Sequence, residues 1–326
     1  MRSKPEIALN QGKGMKRILL FVALFAASFT IKAQQDPQFT QWFNDKLSFN
    51  PASAGINNAH CLSAFYRTQW TGLEGQPKTA MFNYSGKVAN SVGLGLNFYN
   101  DQLGQETNNV VKLSGAYHMS AGNGAQFSAG VSLGFYGKQL GNDWRPIDLG
   151  DNTIPNNQVN DNAFDLGLGV YYWKQDKYYV GLSSTHLTAA DMEQLNIGVA
   201  RHYFFMGGYN FDLNTSTPLV LRTNLLAKSD LNKTALDVNA NLLYDGFLYA
   251  GLTYRPGDAI APVVGVEYCQ AKEKGGNQCF KLGYSYDVTT SNLSNYSSGS
   301  HEIFLSYCFT IVNIVEINKH SNPRFL

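Results

Sequence analysis

The chain has 326 residues, with 25 Lys and Arg against 24 Asp and Glu and a formal net charge of +1, so composition gives a polyanion-binding surface no support. Charged residues reach only 15%, aromatics 13%, and glycine counts 31, where a soluble domain carries about 25% charge. Little charge with many Tyr, Phe and Gly suits a protein that turns an apolar face to lipid and a polar face to a lumen; a large soluble β-sandwich is the alternative that composition leaves open.

In chain order, the first element is an export signal. Lys16 and Arg17 form a positive start, an apolar run extends from Ile18 to Ile31, and Ala33 precedes Gln34, Gln35 and Asp36. The run has the length of a signal-peptide core and is too short for a spanning helix of ~20 residues. Residues 1–33 are therefore expected to be a signal peptide. Met15 is the better-placed start, residues 1–14 are an upstream extension, and the mature chain begins at Gln34. No later run of about 18 apolar residues follows, so the protein is either soluble outside the cytoplasm or crosses a membrane as a closed barrel.

The strands argue for the barrel. From Ser91 to Asn100, Val92, Leu94, Leu96 and Phe98 share one face, and Gly93, Gly95, Asn97 and Tyr99 the other. Gln126–Tyr136 and Phe164–Trp173 alternate in the same way. Such segments begin near Leu62, Thr79, Val92, Val110, Gln126, Phe164, Tyr178, Gly198, Leu219, Leu236, Phe247, Pro262, Phe280 and Ile303. They number about fourteen, each near the ten residues of a tilted span. Short turns (Val88–Asn90, Gly122–Gly124, Gln175–Asp176, Asp245–Gly246) alternate with longer connections at Thr71–Lys78, Asp101–Asn108, Leu140–Asn162, His186–Asn196 and Thr289–Ser300. Short periplasmic turns and longer external loops are the habit of outer-membrane barrels.

Alternation also sorts the charges. Arg67, Lys112, Asp165, Arg222, Asp237, Glu267, Lys281 and Glu302 all fall on the lumen face. Cross-strand pairs are expected between Arg222 and Asp237, Glu267 and Lys281, Lys281 and Glu302, and, once the last strand meets the first, Glu302 and Arg67. Such a ladder suits a filled lumen; ordinary water-exposed lumen charges are the simpler alternative. Four cysteines fall near the periplasmic rim, and Cys269–Cys279 and Cys61–Cys308 are expected as staples, with free thiols as the alternative. No metal site is expected: zinc is disfavoured because the two close cysteine pairs lie on different hairpins and no histidine spacing supports a site.

Catalysis finds no support. His118, His186, His202 and His301 are scattered, no Ser/His/Asp spacing or nucleophile elbow appears, and the Gly-Leu-Gly stretches are strand positions with no phosphate-loop context. No cofactor is expected.

A series of motifs carries a family resemblance. Gln35-Asp36-Pro37-Gln38-Phe39-Thr40-Gln41-Trp42 and Asn50-Pro51-Ala52-Ser53-Ala54-Gly55 precede the first strand, which ends Tyr66-Arg67-Thr68-Gln69-Trp70. Downstream come Arg201–Phe204, Leu236–Asn241, Tyr254–Ala259, Gly283–Asp287 and Tyr296–Glu302. In this order they resemble the PorP/SprF family, outer-membrane barrels of the type IX secretion system. The resemblance implies no enzyme. It implies a barrel at 59–309 with a plug segment at 34–58 folded into the lumen, its signature residues being Gln38, Phe39, Trp42, Asn50, Pro51, Gly55, Arg67 and Trp70. It implies a secreted, adhesin-like or gliding-associated cargo whose C-terminal sorting domain is exported or held at the surface. Contacts are expected at the loop carrying Tyr296, Ser297, Ser298, Gly299 and His301. Further partners would be periplasmic ring components or an outer-membrane lipoprotein, and outer-membrane lipid; no nucleic acid is implied. Residues 310–326 would form a periplasmic tail. The competing function is a porin or hydrophobic-compound channel.

Overall fold

A strand with one apolar and one polar face, in a chain that must satisfy every backbone group inside lipid, has one spanning solution: a sheet closed on itself. The computed structural model describes residues 36–144, 157–195, 197–213, 216–271 and 277–310. The signal peptide expected at 1–33 and all but the first residue of the tail lie outside them.

Fourteen strands form a closed antiparallel barrel. They are β1 (His60–Thr68), β2 (Lys78–Ala89), β3 (Val92–Leu103), β4 (Glu106–Gly122), β5 (Ala125–Leu140), β6 (Val159–Lys174) and β7 (Tyr178–Thr185), then β10 (His202–Asp212), β11 (Leu219–Ser229), β12 (Thr234–Tyr244), β13 (Leu248–Arg255), β14 (Ala259–Ala271), β15 (Asn277–Thr289) and β16 (Ser300–Phe309). Between β7 and β10 the loop carries a two-residue ribbon, β8 (Asp191–Met192) with β9 (Ile197–Gly198). Each strand pairs with its sequence neighbour, and β1 closes the cylinder on β16 with Arg67 opposite Glu302. No described helix is long and apolar enough to cross a membrane; the crossing falls to the strands.

The alternation sets the two faces. Leu113, Phe135 and Leu168 point outward and are 62%, 65% and 53% exposed, part of an apolar belt of Leu, Val, Phe and Tyr around the cylinder. In water so large an apolar surface would aggregate, whereas in lipid it is the stable solution. Inward positions carry Asn, Ser, Gly, charged groups and a few aromatics. Connections at the end where β1 begins and β16 ends are mostly short. The strand ends joined by the long connections, 69–77, 141–158, 186–201 and 290–299, lie at the other, external end.

Two expectations about loops are corrected. Asp101–Asn108 is not a long loop: β3 and β4 continue to Leu103 and Glu106 and join through Gly104 and Gln105. Both faces are polar there because the hairpin rises above the lipid, so the alternation that marks a strand fades before the strand ends. The eighth barrel strand begins at His202 and not near Gly198, which belongs to the loop ribbon.

Residues 36–59 do not join the wall. They run through the interior in two short 3-10 turns, Trp42–Asn44 and Pro51–Ser53, and Trp42, Ala52 and Asn50 are wholly buried against inward-facing groups. Phe39 packs on Phe65, Phe65 on Phe304, and Phe49 on Phe204.

Leu168→Arg, at mid-strand on the outer face, is expected to destabilise the barrel by about 2–4 kcal/mol. The check is the urea midpoint of refolding into lipid vesicles, followed by heat-modifiable gel mobility. An unchanged midpoint would contradict the assignment of this face to lipid.

Candidate functional site

Chain inside a barrel has no strand to pair with, so its amides and carbonyls must find side chains. The first of these partners sit at the closing seam. Glu302 accepts the amides of Thr40 and Gln41 on its two carboxylate oxygens, at 2.7 and 2.8 Å. The Thr40 hydroxyl donates to Asp287 at 2.7 Å and accepts from Arg67 at 3.0 Å and Arg255 at 3.3 Å. Arg67 is ion-paired to Asp287 at 2.7 Å and to Glu302 at 3.2 Å. Arg255 extends the cluster to Asp287, Asp258 and Asp237, and Lys228 meets Asp237 at 3.1 Å. Burial of these charges is tolerable only because nearly every one has an opposite partner.

Further along, the segment is seated on wall side chains. The Asn50 amide donates to the Val170 and Leu182 carbonyls at 3.0 and 3.3 Å, and its oxygen caps Ala52 at 2.9 Å. Ser183 donates to the Phe49 carbonyl and Ser128 to that of Ala52, both at 2.6 Å. His118 contacts the Ala54 carbonyl at 2.8 Å, and the Gly55 amide donates to Ser85 at 2.9 Å. Glycines on the inner face make the room. A Cβ on Gly130 would lie 2.5 Å from Ala52 and one on Gly95 2.7 Å from Leu47; at Gly93, Gly169 and Gly283 it would strike Ala54, Asn50 and Gln41. Read as strand residues these glycines are weak choices, but as sockets for the chain's own segment before β1 they are required.

All eight residues of the charge ladder lie on inward positions, in three separate groups. Arg67 and Glu302 belong to the clamp at the seam. Arg222 and Lys281 flank Glu267 at 2.6 and 3.2 Å. Lys112 faces Asp165 at 3.5 Å. Two expected pairs do not form. Arg222 lies opposite Asn241 while Asp237 lies opposite Leu226, and Lys281 lies opposite Ser306 while Glu302 lies opposite Ser285. The strand stagger sets each pair apart along the barrel, and Asp237 is taken by Arg255 and Lys228 instead. The sequence reading missed Thr40, Arg255 and Asp287, although Arg255 and Asp287 share the inward parity of their strands.

Beneath the segment a cavity of about 230 Å³ is lined by Asn44, Asp45, Lys46, Arg222 and Lys281 among others. Asp45 accepts from Asn83 at 2.8 Å and is held by Ser63. Lys46 donates to the Phe43 carbonyl at 2.8 Å and lies 4.6 Å from the Tyr179 ring centroid. Desolvation and the nearby Lys281 and Arg222 cations push the Lys46 ammonium down to about 8, only partly offset by Asp45 and Glu267.

The two rims complete the seam. At the periplasmic end Cys269, Cys279, Cys308 and Cys61 form one row across β14, β15, β16 and β1. Sulfurs are bonded in the pairs Cys61–Cys308 and Cys269–Cys279, with Cα atoms 4.0 Å apart in each. At the external end two loops pair: the Thr71 amide donates to the Gly299 carbonyl and the Ser298 amide to that of Thr71, each at 2.7 Å. Trp70, held at φ 53°, donates its amide to the Ser300 hydroxyl at 3.1 Å. Tyr286 donates to the Ser298 carbonyl, and His301 meets the Tyr284 hydroxyl. Tyr296 stands out beside them, 72% exposed, and Ser297 is bonded back to Leu293. Gln38 lines the small cavity near His202, and Pro51 is buried where the second turn meets the wall. These placements offer binding surfaces; every acid of the clamp is neutralised by a neighbouring cation.

Gly130→Val is expected to evict the segment while the strand itself tolerates the residue. Limited proteolysis in detergent should cut between residues 36 and 59 in the variant and not in the parent, with heat-modifiable mobility retained. The Lys46 shift gives a second test. Its pKa is lower in the folded chain than the ordinary 10.5, so charging it opposes folding. That cost is full below about 8 and gone above 10.5, and stability rises with pH between them. Lys46→Met should remove this pH dependence, on the order of 1 kcal/mol across the window, since the group borders the cavity and is not sealed in the core. Identical urea midpoints against pH in parent and variant would contradict it.

Among solved structures the barrel is similar to a FadL homologue of Pseudomonas aeruginosa (TM-score 0.45, 12% identity, covering 81% of this chain and 93% of that one). It is also similar to the Ralstonia pickettii toluene transporter TbuX (TM-score 0.45, 11% identity, 82% and 93%) and to the CymD monoaromatic hydrocarbon channel (TM-score 0.43, 13% identity, 86% and 94%). No curated protein matches the sequence. The model of the type IX secretion system membrane protein PorP/SprF matches residues 31–307. With that match spanning a lipid-belted closed barrel, the chain belongs to the PorP/SprF family and is an outer-membrane protein of type IX secretion.

Proposed function

We propose that this barrel holds a secreted cargo protein, adhesin-like or gliding-associated, at the outer membrane through the cargo's C-terminal sorting domain, with residues 34–58 plugging the lumen. The observation that supports this reading is that the chain's own residues before β1 are buried against inward-facing groups, with Thr40 and Gln41 held by Arg67, Asp287 and Glu302. A lumen committed to its own chain favours binding at the rims over passage of a solute. The paired external loops, with Tyr296 raised above Ser298 and Gly299, are the cargo surface in this reading. The basic-lined cavity at the opposite end faces the periplasmic components of the secretion system. Residues 1–33 direct export. The role is one of binding, with no reaction.

Pulldown of the full-length protein from detergent-solubilised outer membranes, read by mass spectrometry, should recover a large secreted protein with a C-terminal sorting domain. Tyr296→Ala should reduce that recovery several-fold. In planar bilayers the parent should be silent and Gly130→Val should conduct. Steady conductance of the parent, with no cargo recovered, would instead make it a porin or hydrophobic-compound channel.

A further inference from the structure

Three residues far apart in sequence meet under the external loops, on the wall opposite the seam. Asp36 opens the lumen segment, His186 follows the last residue of β7, and His202 begins β10. Their ligand atoms all lie within 4.8 Å of one another. Asp36 and the His186 Nε2 are 3.0 Å apart, and the two rings meet edge to face at 5.4 Å.

Three further observations point to a ligand at this cluster. His202 is only 6% exposed, yet neither of its ring nitrogens has a hydrogen-bond partner among the described residues. An imidazole buried in this way loses its hydration and gains nothing in return. The other nitrogen of His186, Nδ1, is likewise buried without a hydrogen-bond partner, with the Asp165 carboxylate 3.2 Å away and Lys112 next to that acid. A carboxylate beside a histidine is the usual outer partner of a metal ligand. Finally, Asp36, His202 and Asp230 line a cavity of about 20 Å³, and the Asp230 Oδ2 is buried without a partner. A space of that size admits one water.

We propose that Asp36, His186 and His202 form a site for a divalent transition-metal ion, with zinc the best match to two imidazoles and one carboxylate. Zinc takes nitrogen and carboxylate oxygen at ~2.0–2.2 Å in tetrahedral geometry, so binding draws the widest ligand pair together by about 1 Å. A water in the cavity supplies the fourth ligand and donates to the free oxygen of Asp230. Asp165 orients His186, and Lys112 balances its charge. The ion ties the start of the lumen segment to the β7–β10 loop. The site stands independently of the cargo reading. Its rival is a proton: a doubly protonated His186 bridging Asp36 and Asp165, with no metal.

The test uses the full chain in detergent, free of any histidine tag and stripped of metal by a chelator. After incubation with Zn²⁺ and removal of the excess, elemental analysis should find about one zinc per chain. His202→Gln and His186→Gln should lower zinc affinity at least tenfold, while His60→Gln, at the periplasmic rim, should leave it unchanged. Zinc should also raise the thermal midpoint of the parent and not that of His202→Gln. Heat-modifiable mobility checks that each variant is folded. Should a histidine variant fail this check, Asp36→Asn, outside every strand, must show the same loss. Absence of zinc from the parent, or full retention by His202→Gln or Asp36→Asn, overturns the site.

Discussion

The structure turns on the pairing of Arg67 with Glu302. These residues stand opposite one another on the strands that close the barrel, and the carboxylate that meets the guanidinium also takes the amides of Thr40 and Gln41. One interaction therefore seals the cylinder and fixes the chain inside it. Removing Arg67 would leave the buried Glu302 carboxylate without its ion-pair partner, which typically costs several kcal/mol, whereas removing Glu302 would leave Arg67 on Asp287 but free the Thr40 and Gln41 amides. Asp287 and Arg255 spread that dependence to β13 and β15.

Shape does what charge cannot. A barrel of fourteen strands encloses more space than its own inward side chains fill, and here part of the excess is taken up by the chain's own residues before β1. Glycine at Gly93, Gly95, Gly130, Gly169 and Gly283 lowers the inner wall where that segment passes. Asn, Ser and His rise between the glycines to meet its backbone. The glycines weaken the strands as isolated strands, and the packed segment offsets this by contributing aromatic contacts such as Phe39 on Phe65 and Phe49 on Phe204.

Much of this was legible from alternation alone. Period two placed Leu94 and Leu168 outward and Arg67, Glu267 and Glu302 inward, and closure put Arg67 beside Glu302. Register was not legible. The parity of a residue says which face it takes, not which residue it meets, so Arg222 and Asp237 were paired on paper while stagger separates them. The polar hairpin at 101–108 hid its strands because above the lipid neither face need be apolar. The meeting of Asp36, His186 and His202 depends on three-dimensional closure of segments 150 residues apart; no local spacing announces it.

Rim and clamp lie two residues apart on β16. Ser300 holds the Trp70 amide of the external loop, and Glu302 holds Thr40 in the lumen. A strand is stiff along its length, and its neighbours on both sides are tied to the same residues: β1 through Arg67, β15 through Asp287. Displacing the paired loops must therefore strain the clamp, and loosening the clamp must disturb the loops. The same three strands, joined by β14, carry the cysteine row at their other end. The seam thus forms one mechanically continuous element from the periplasmic rim to the outer surface, whereas the opposite wall leaves its long external loops tied to the lumen segment through Asp36 and His186.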